Sequence, residues 1–145
     1  MKKLLFSLFF VFGLNLSLHA EPAVPPYSWT IALVGSDQYY IDHPDSDPRG
    51  YENTVGKTRT DGNHGGHVIF YVVVDGGYAY NTSVTWDGSV MTPIYHPIDM
   101  DGDTITDRWV LEFEKFNVTE GNIQVKDFSK PSDAYKTVQD YLYVK

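Results

Sequence analysis

The run HVIFYVVV (67–74), closed by Asp75-Gly76-Gly77, is followed by YAYNTSVTW (78–86), Asp87-Gly88 and SVMTPIY (89–95). These runs decide the fold. They are rich in β-branched and aromatic side chains, which suit a pleated and half-buried surface. Asp-Gly pairs between such runs are a strong hairpin signal, because the tight turns they form need positive φ. The segment predicts a three-stranded antiparallel meander. Its first run shows little polar alternation, which predicts a strand covered on both faces.

The same periodicity extends outward from this centre. In WVLEFEKF (109–116), Trp109, Leu111, Phe113 and Lys115 fall on one face and Val110, Glu112, Glu114 and Phe116 on the other, as in a half-buried strand. Glu120-Gly121-Asn122 then turns the chain into IQVKDF (123–128). Toward the N-terminus, SWTIALV (28–34) reads as a strand ending at Gly35. The preceding EPAVPPY (21–27) is an extended lead-in, since its three prolines donate no backbone hydrogen bond. Pro, Gly and Asp crowd residues 42–66, predicting a long loop or a pair of loops. In the tail, Pro131-Ser132-Asp133 looks like a helix start and YLYV (141–144) like an edge strand. The expected class is all-β: a single antiparallel β-sandwich or small barrel, with at most one short helix near the C-terminus.

Residues 1–20, MKKLLFSLFFVFGLNLSLHA, have the three parts of a cleavable signal peptide in order: Lys2-Lys3, an apolar stretch and a small-residue site at Ala20. The apolar stretch is interrupted by Asn15 and Ser17 and falls short of the roughly 20 residues that span a bilayer. The expectation is a secreted or periplasmic bacterial protein whose mature part, 21–145, is one β-rich domain with no membrane span after cleavage. The chain has no cysteine, so neither a disulfide framework nor a lipid-modified Cys is available. Removing residues 1–20 deletes two lysines and no acidic group, so the formal charge of −8 becomes −10. So acidic a domain repels nucleic acid and anionic membranes.

One segment carries specific chemistry. Residues 99–107, DMDGDTITD, place carboxylates at loop positions 1, 3, 5 and 9. Four negative charges within nine residues call for a hard cation with oxygen ligands, and calcium takes six to eight of them. Asp99, Asp101, Asp103 and Asp107, with the Ile105 carbonyl, are the expected calcium ligands in a structural site. The loop and the following RWVLEF (108–113) resemble the calcium-binding hairpin of integrin-type propeller repeats, written D-x-D-G-D-G-x-x-D, over about fifteen residues. A single copy implies no propeller. Thr104 stands where that pattern has glycine, and a β-branched residue is strained there if the backbone is left-handed. The loop is not an EF-hand, because the twelfth position is Val110 rather than a bidentate Glu.

His64-Gly65-Gly66-His67, with His96, is a second candidate metal cluster, of the kind a small zinc-type hydrolase uses. Residues three apart on a strand point to opposite faces, so His64 and His67 converge only if the glycines bend the chain. No motif identifies a catalytic residue: G-x-S-x-G, a Cys nucleophile and a Gly-rich phosphate loop are all missing. Gly50-Tyr51-Glu52-Asn53, together with TDGNHGG (60–66), resembles small secreted bacterial proteins of the YolA type, a family with no established activity. That resemblance implies export and a compact domain.

Tyrosine and tryptophan combine an apolar body with a polar tip and serve both sheets and binding faces. The leading expectation is a calcium-stabilised β-sandwich binding module that recognises an extracellular glycan or protein through Tyr39, Tyr40 and Tyr51 on loops. The alternatives are an acidic periplasmic inhibitor or immunity-type protein that meets a basic partner by charge complementarity, and the small metal-dependent hydrolase.

Overall fold

A computed structural model describes residues 28–46, 50–76, 79, 82–127 and 141–145. The signal segment, the Pro-rich lead-in and the helix start expected at 131–133 lie outside the described residues. In chain order the elements are β1 (Ser28–Ser36), α1 (Asp37–Asp42), β2 (Tyr51–Asn53), β3 (Gly66–Asp75), β4 (Thr82–Trp86), β5 (Ser89–Val90), β6 (Ile94–Ile98), β7 (Arg108–Val118), β8 (Gly121–Asp127) and β9 (Tyr141–Val144). They form a five-stranded sheet, β2-β1-β3-β7-β6, and a four-stranded sheet, β5-β4-β8-β9. Every strand pairing in both is antiparallel. The all-β sandwich-like fold expected from the sequence is the observed one.

The core lies between the sheets. Trp29, Ile31 and Val34 from β1, Val68, Phe70, Val72 and Val74 from β3, and Leu111 and Phe113 from β7 share one buried cluster with Val84, Trp86, Ile123, Val125, Leu142 and Val144 of the smaller sheet. Phe70 meets Trp86 across the interface with ring centroids 5.9 Å apart. On β7 the expected alternation holds: Trp109, Leu111 and Phe113 are buried, while Glu112 and Glu114 face outward.

Three expectations for the centre of the chain need correction. β3 is flanked on both sides, by β1 and β7, so it has no edge left for β4. The expected meander is therefore split: the chain leaves β3, crosses to the other sheet, and only β4 and β5 form the Asp87-Gly88 hairpin, with φ of 47° and 80° at the turn. SVMTPIY also divides, because Ser89 and Val90 pair with β4 whereas Ile94 and Tyr95 begin the edge strand β6 on β7. Pro93 marks the crossing, where a residue without an N–H forfeits no ladder bond. Finally, β3 is buried on its inner face only; Ile69, Tyr71 and Val73 are half-exposed on the outer face. Apolar residues on both faces reflect a central strand, not a doubly covered one.

The sheet edges are short or guarded, as isolated edges must be to avoid pairing with other chains. β6 carries Pro97 and β5 is two residues long. The edge of β9 is covered by residues 58–60: Tyr143 N donates to Thr58 O, and Thr60 N to Tyr143 O. Arg59 lies 5.4 Å over the Tyr143 ring. The tail strand is thus an edge strand, as expected. The described helix is α1, early in the chain, capped by Ser36 Oγ accepting from Tyr39 N at 3.0 Å.

Gly121 at the start of β8 lies under the Trp86 indole, and a Cβ there would collide with the ring. Gly121→Ala is expected to cost about 1–3 kcal/mol through overpacking and to change Trp86 fluorescence. Urea denaturation of the variant checks both, and unchanged stability contradicts the packing.

Candidate functional site

Tyr40 and Tyr51 border a pocket of about 160 Å³ on the outer side of the larger sheet, lined also by Ser36, Asp37, His67 and Ile69. The local sequence builds it. Ser36 caps α1 and so turns the chain out of β1, which brings Tyr40 over the sheet. Gly35 lets the Tyr51 ring lie close over β1, since a Cβ at that position would sit 2.5 Å from it. Tyr51 also meets Tyr71, with ring centroids 5.8 Å apart. Burial first, then the hydrogen bond to Tyr51 and the nearby Glu112 and Glu114 carboxylates, push the Tyr71 hydroxyl pKa up, so it stays protonated.

The three tyrosines picked from the sequence are not on loops. Tyr39 and Tyr40 belong to α1 and Tyr51 to β2, because Ser36 and Asp37 supply a helix start within what looked like a loop. Tyr39 lies outside the pocket lining: its ring is stacked between His43 at 4.2 Å and His64 at 4.8 Å.

On the inner face of β2, opposite Val34, lies a buried polar group. Glu52, 4% exposed, accepts from Asp61 N at 2.8 Å, Gly62 N at 2.9 Å and Lys57 Nζ at 3.0 Å, and contacts His64 Nε2 at 3.2 Å. Burial alone would raise its pKa, but the two amides, Lys57 and His64 outweigh burial and hold it below the ordinary carboxylate value. His64, 1% exposed, contacts Ser36 Oγ through Nδ1 at 3.2 Å. Burial lowers its pKa, opposed in part by Glu52, so the ring is neutral near pH 7. Ser36 and Glu52 escaped selection from the sequence. Ser36-Asp37 is legible only as a helix cap, and a lone Glu in a short strand carries no local signal of burial.

The histidines do not converge. His64 faces Glu52, His67 Nε2 lies 3.6 Å from Glu114, and His96 donates to or accepts from Glu112 at 2.9 Å. Among the described residues, one group of three or more His, Asp or Glu has its ligand atoms within 4.8 Å of one another: Asp99, Asp101 and Asp107.

That group lies in the loop joining the antiparallel strands β6 and β7. Asp99 accepts from Gly102 N at 2.6 Å and Thr104 N at 2.8 Å, and Asp107 from Met100 N at 2.8 Å. Asp103 Oδ1 accepts from Ile105 N at 2.7 Å and is not among the three clustered carboxylates. The Thr104 and Gly102 amides lower the Asp99 pKa. At Asp101 the Asp103 amide acts in the same direction, but reduced hydration and the charges of Asp103, Asp107 and Asp99 outweigh it and raise the pKa. Thr104 has φ of 74°, the left-handed conformation for which glycine is suited.

No family model, curated protein or solved structure matches the chain. No helix among the described residues is long and apolar enough to cross a membrane.

The pKa shifts give a pH signature. Both His64 and Glu52 have folded-state values below their unfolded ones, so each stabilises fully above its unfolded pKa and loses that contribution as pH falls. His64 sets the upper edge, at its ordinary value of 6.5, and Glu52 adds to the loss below 4.5. Melting temperature should therefore fall below pH 6.5, and His64→Gln should reduce the part of the loss between 6.5 and 4.5. A wild-type Tm that does not change between about pH 7 and 5 contradicts the buried neutral imidazole.

Proposed function

We propose that the protein is an exported, calcium-stabilised β-sandwich binding module that takes an extracellular glycan in the pocket between Tyr40 and Tyr51. The pocket itself carries this reading. Its aromatic walls offer flat apolar faces for a sugar ring, and Asp37 offers a carboxylate that accepts hydrogen bonds from hydroxyls. Tyr71, Glu112 and Glu114 continue the same mixture of aromatic and acceptor groups beside Tyr51. The signal-like segment at residues 1–20 and the acidic charge fit an extracellular, non-nucleic-acid ligand.

Retention on immobilised polysaccharides tests the reading. Binding to at least one glycan is expected, with Tyr40→Ala and Tyr51→Ala each weakening it about fivefold to tenfold, the loss of roughly 1 kcal/mol of ring contact. Retention on no polysaccharide would overturn it.

Calcium is assigned to Asp99, Asp101 and Asp107, with Asp103 and the Ile105 carbonyl as further ligands and water or bidentate carboxylates completing the shell. The clustered carboxylate oxygens support the assignment, because a dication would offset their mutual repulsion. Such a site lies in a β-hairpin and stabilises the native state alone. Adding millimolar calcium to chelated protein should raise Tm by several degrees, more than magnesium does. Thr104→Gly should stabilise the protein by about 1 kcal/mol even without the ion, by relieving the left-handed strain. An unchanged Tm with calcium counts against the site.

A further inference from the structure

The polar groups around the pocket are mostly acceptors. A sugar hydroxyl both donates and accepts, so a site for several hydroxyls presents both kinds of group. Here the Ser36 hydroxyl is engaged with His64 and the Tyr71 hydroxyl with Tyr51. Asp37 lines the pocket, and its carboxylate lies beside Gly66, where a Cβ would sit 3.6 Å from Oδ2. Antiparallel pairing sets Glu114 opposite Ile69, a pocket residue, and Glu112 opposite Tyr71, so both glutamates share the outer face with the pocket. Glu114 is 3.6 Å from His67, which also lines the pocket and is stacked on Phe116 with ring centroids 4.3 Å apart. Glu112 continues the acceptor row about 6.6 Å further along the strand.

Positive charge is missing from the same place. Among the described residues that line the pocket there is no Lys or Arg. Arg108, on the strand of the two glutamates, is held at the far end of the sheet by Asp75 at 2.6 Å. The aromatic walls act in the same sense as the carboxylates, because the face of a tyrosine ring is the negative side of its quadrupole and attracts a cation.

We propose that the group this pocket selects is a protonated amine, and that its ligand is a polysaccharide carrying free amino groups, a de-N-acetylated hexosamine polymer. The inference rests on the glycan reading and narrows it. An ammonium has three donors and no acceptor, which matches carboxylates that only accept. N-acetylation removes the charge, leaves one N–H and adds a carbonyl that requires a donor in return. Polymers of uronic acids or sulfated sugars meet like charge and are rejected.

The domain is acidic throughout and attracts any polycation, so the test uses short soluble probes and a control of equal charge. Calorimetry on the mature chain compares the glucosamine trimer with the N-acetylglucosamine trimer, at about pH 6.5, below the pKa of a sugar amine. The glucosamine trimer should bind at least about tenfold more tightly. Asp37→Asn and Glu114→Gln should each weaken it about fivefold to tenfold, the scale of one charge-assisted hydrogen bond. Asp87→Asn makes the same charge change on the β4–β5 turn, where the side-chain oxygen that accepts from Asn122 N is kept, and should leave affinity unchanged. Binding of neither trimer, equal affinity for both, or an equal loss in the pocket and control variants overturns the inference. The glycan reading falls only if no immobilised polysaccharide retains the protein, so the two failures are distinguishable.

Discussion

A buried carboxylate organises one side of this sandwich. Glu52 sits on the three-residue edge strand β2, and its acceptors draw in the amides of Asp61 and Gly62, the ammonium of Lys57 and the ring of His64. A carboxylate removed from water costs several kcal/mol unless its lone pairs are filled, so the loop after β2 has little choice of path. That path carries residues 58–60 across to β9 of the other sheet and brings His64 N to the carbonyl of Lys145. One charge thereby ties the edge of the larger sheet to the edge of the smaller, in a chain that has no disulfide to do so.

Replacing such a group with apolar residues of similar volume is often neutral or stabilising in proteins, so stability is a weak reason for its presence. Its position is more informative. The loop could be fastened by backbone bonds alone, as β9 is fastened to residues 58–60. The Glu52 and His64 pair adds something backbone cannot supply, side-chain contacts that hold a buried imidazole between a carboxylate and the Ser36 hydroxyl. Tyr39 joins the two roles, because its amide caps on Ser36 and its ring covers His64.

What the sequence made legible follows the range of the interactions. Inward and outward positions on β7, the Asp87-Gly88 hairpin and the tail edge strand depend on neighbours close in the chain or on side-chain alternation, and they were readable. The partners of β3 were not. Val68 pairs with Lys115 on one side and Ser36 on the other, and no local pattern specifies pairings at such separation. Of the three tyrosines selected from the sequence, Tyr40 and Tyr51 line the pocket. Glu52 was invisible as a buried group because its environment is made by residues 57–64, whose Gly- and Asp-rich composition reads as solvated loop. The acidic loop was the reverse case, since residues 99–107 contain nearly all of their own contacts.

The two candidate sites are mechanically separate. The pocket borders Ile69 near the start of β3, whereas the Asp loop joins β7 beside Arg108, which pairs with Asp75 at the end of β3. Six residues of strand at about 3.3 Å each put roughly 20 Å between the two rows. Between them run the paired backbones of β3 and β7, packed on the core and without a bulge between Val68 and Asp75. Such a ladder has one register, and shifting it by a residue would turn Phe70, Val72 and Val74 out of the core. A cation in the loop therefore has no second arrangement of the sheet to select, and coupling between sites requires one. The paired backbones of β3 and β7 thus stand between the Asp loop of the β6–β7 hairpin and the pocket beside Ile69.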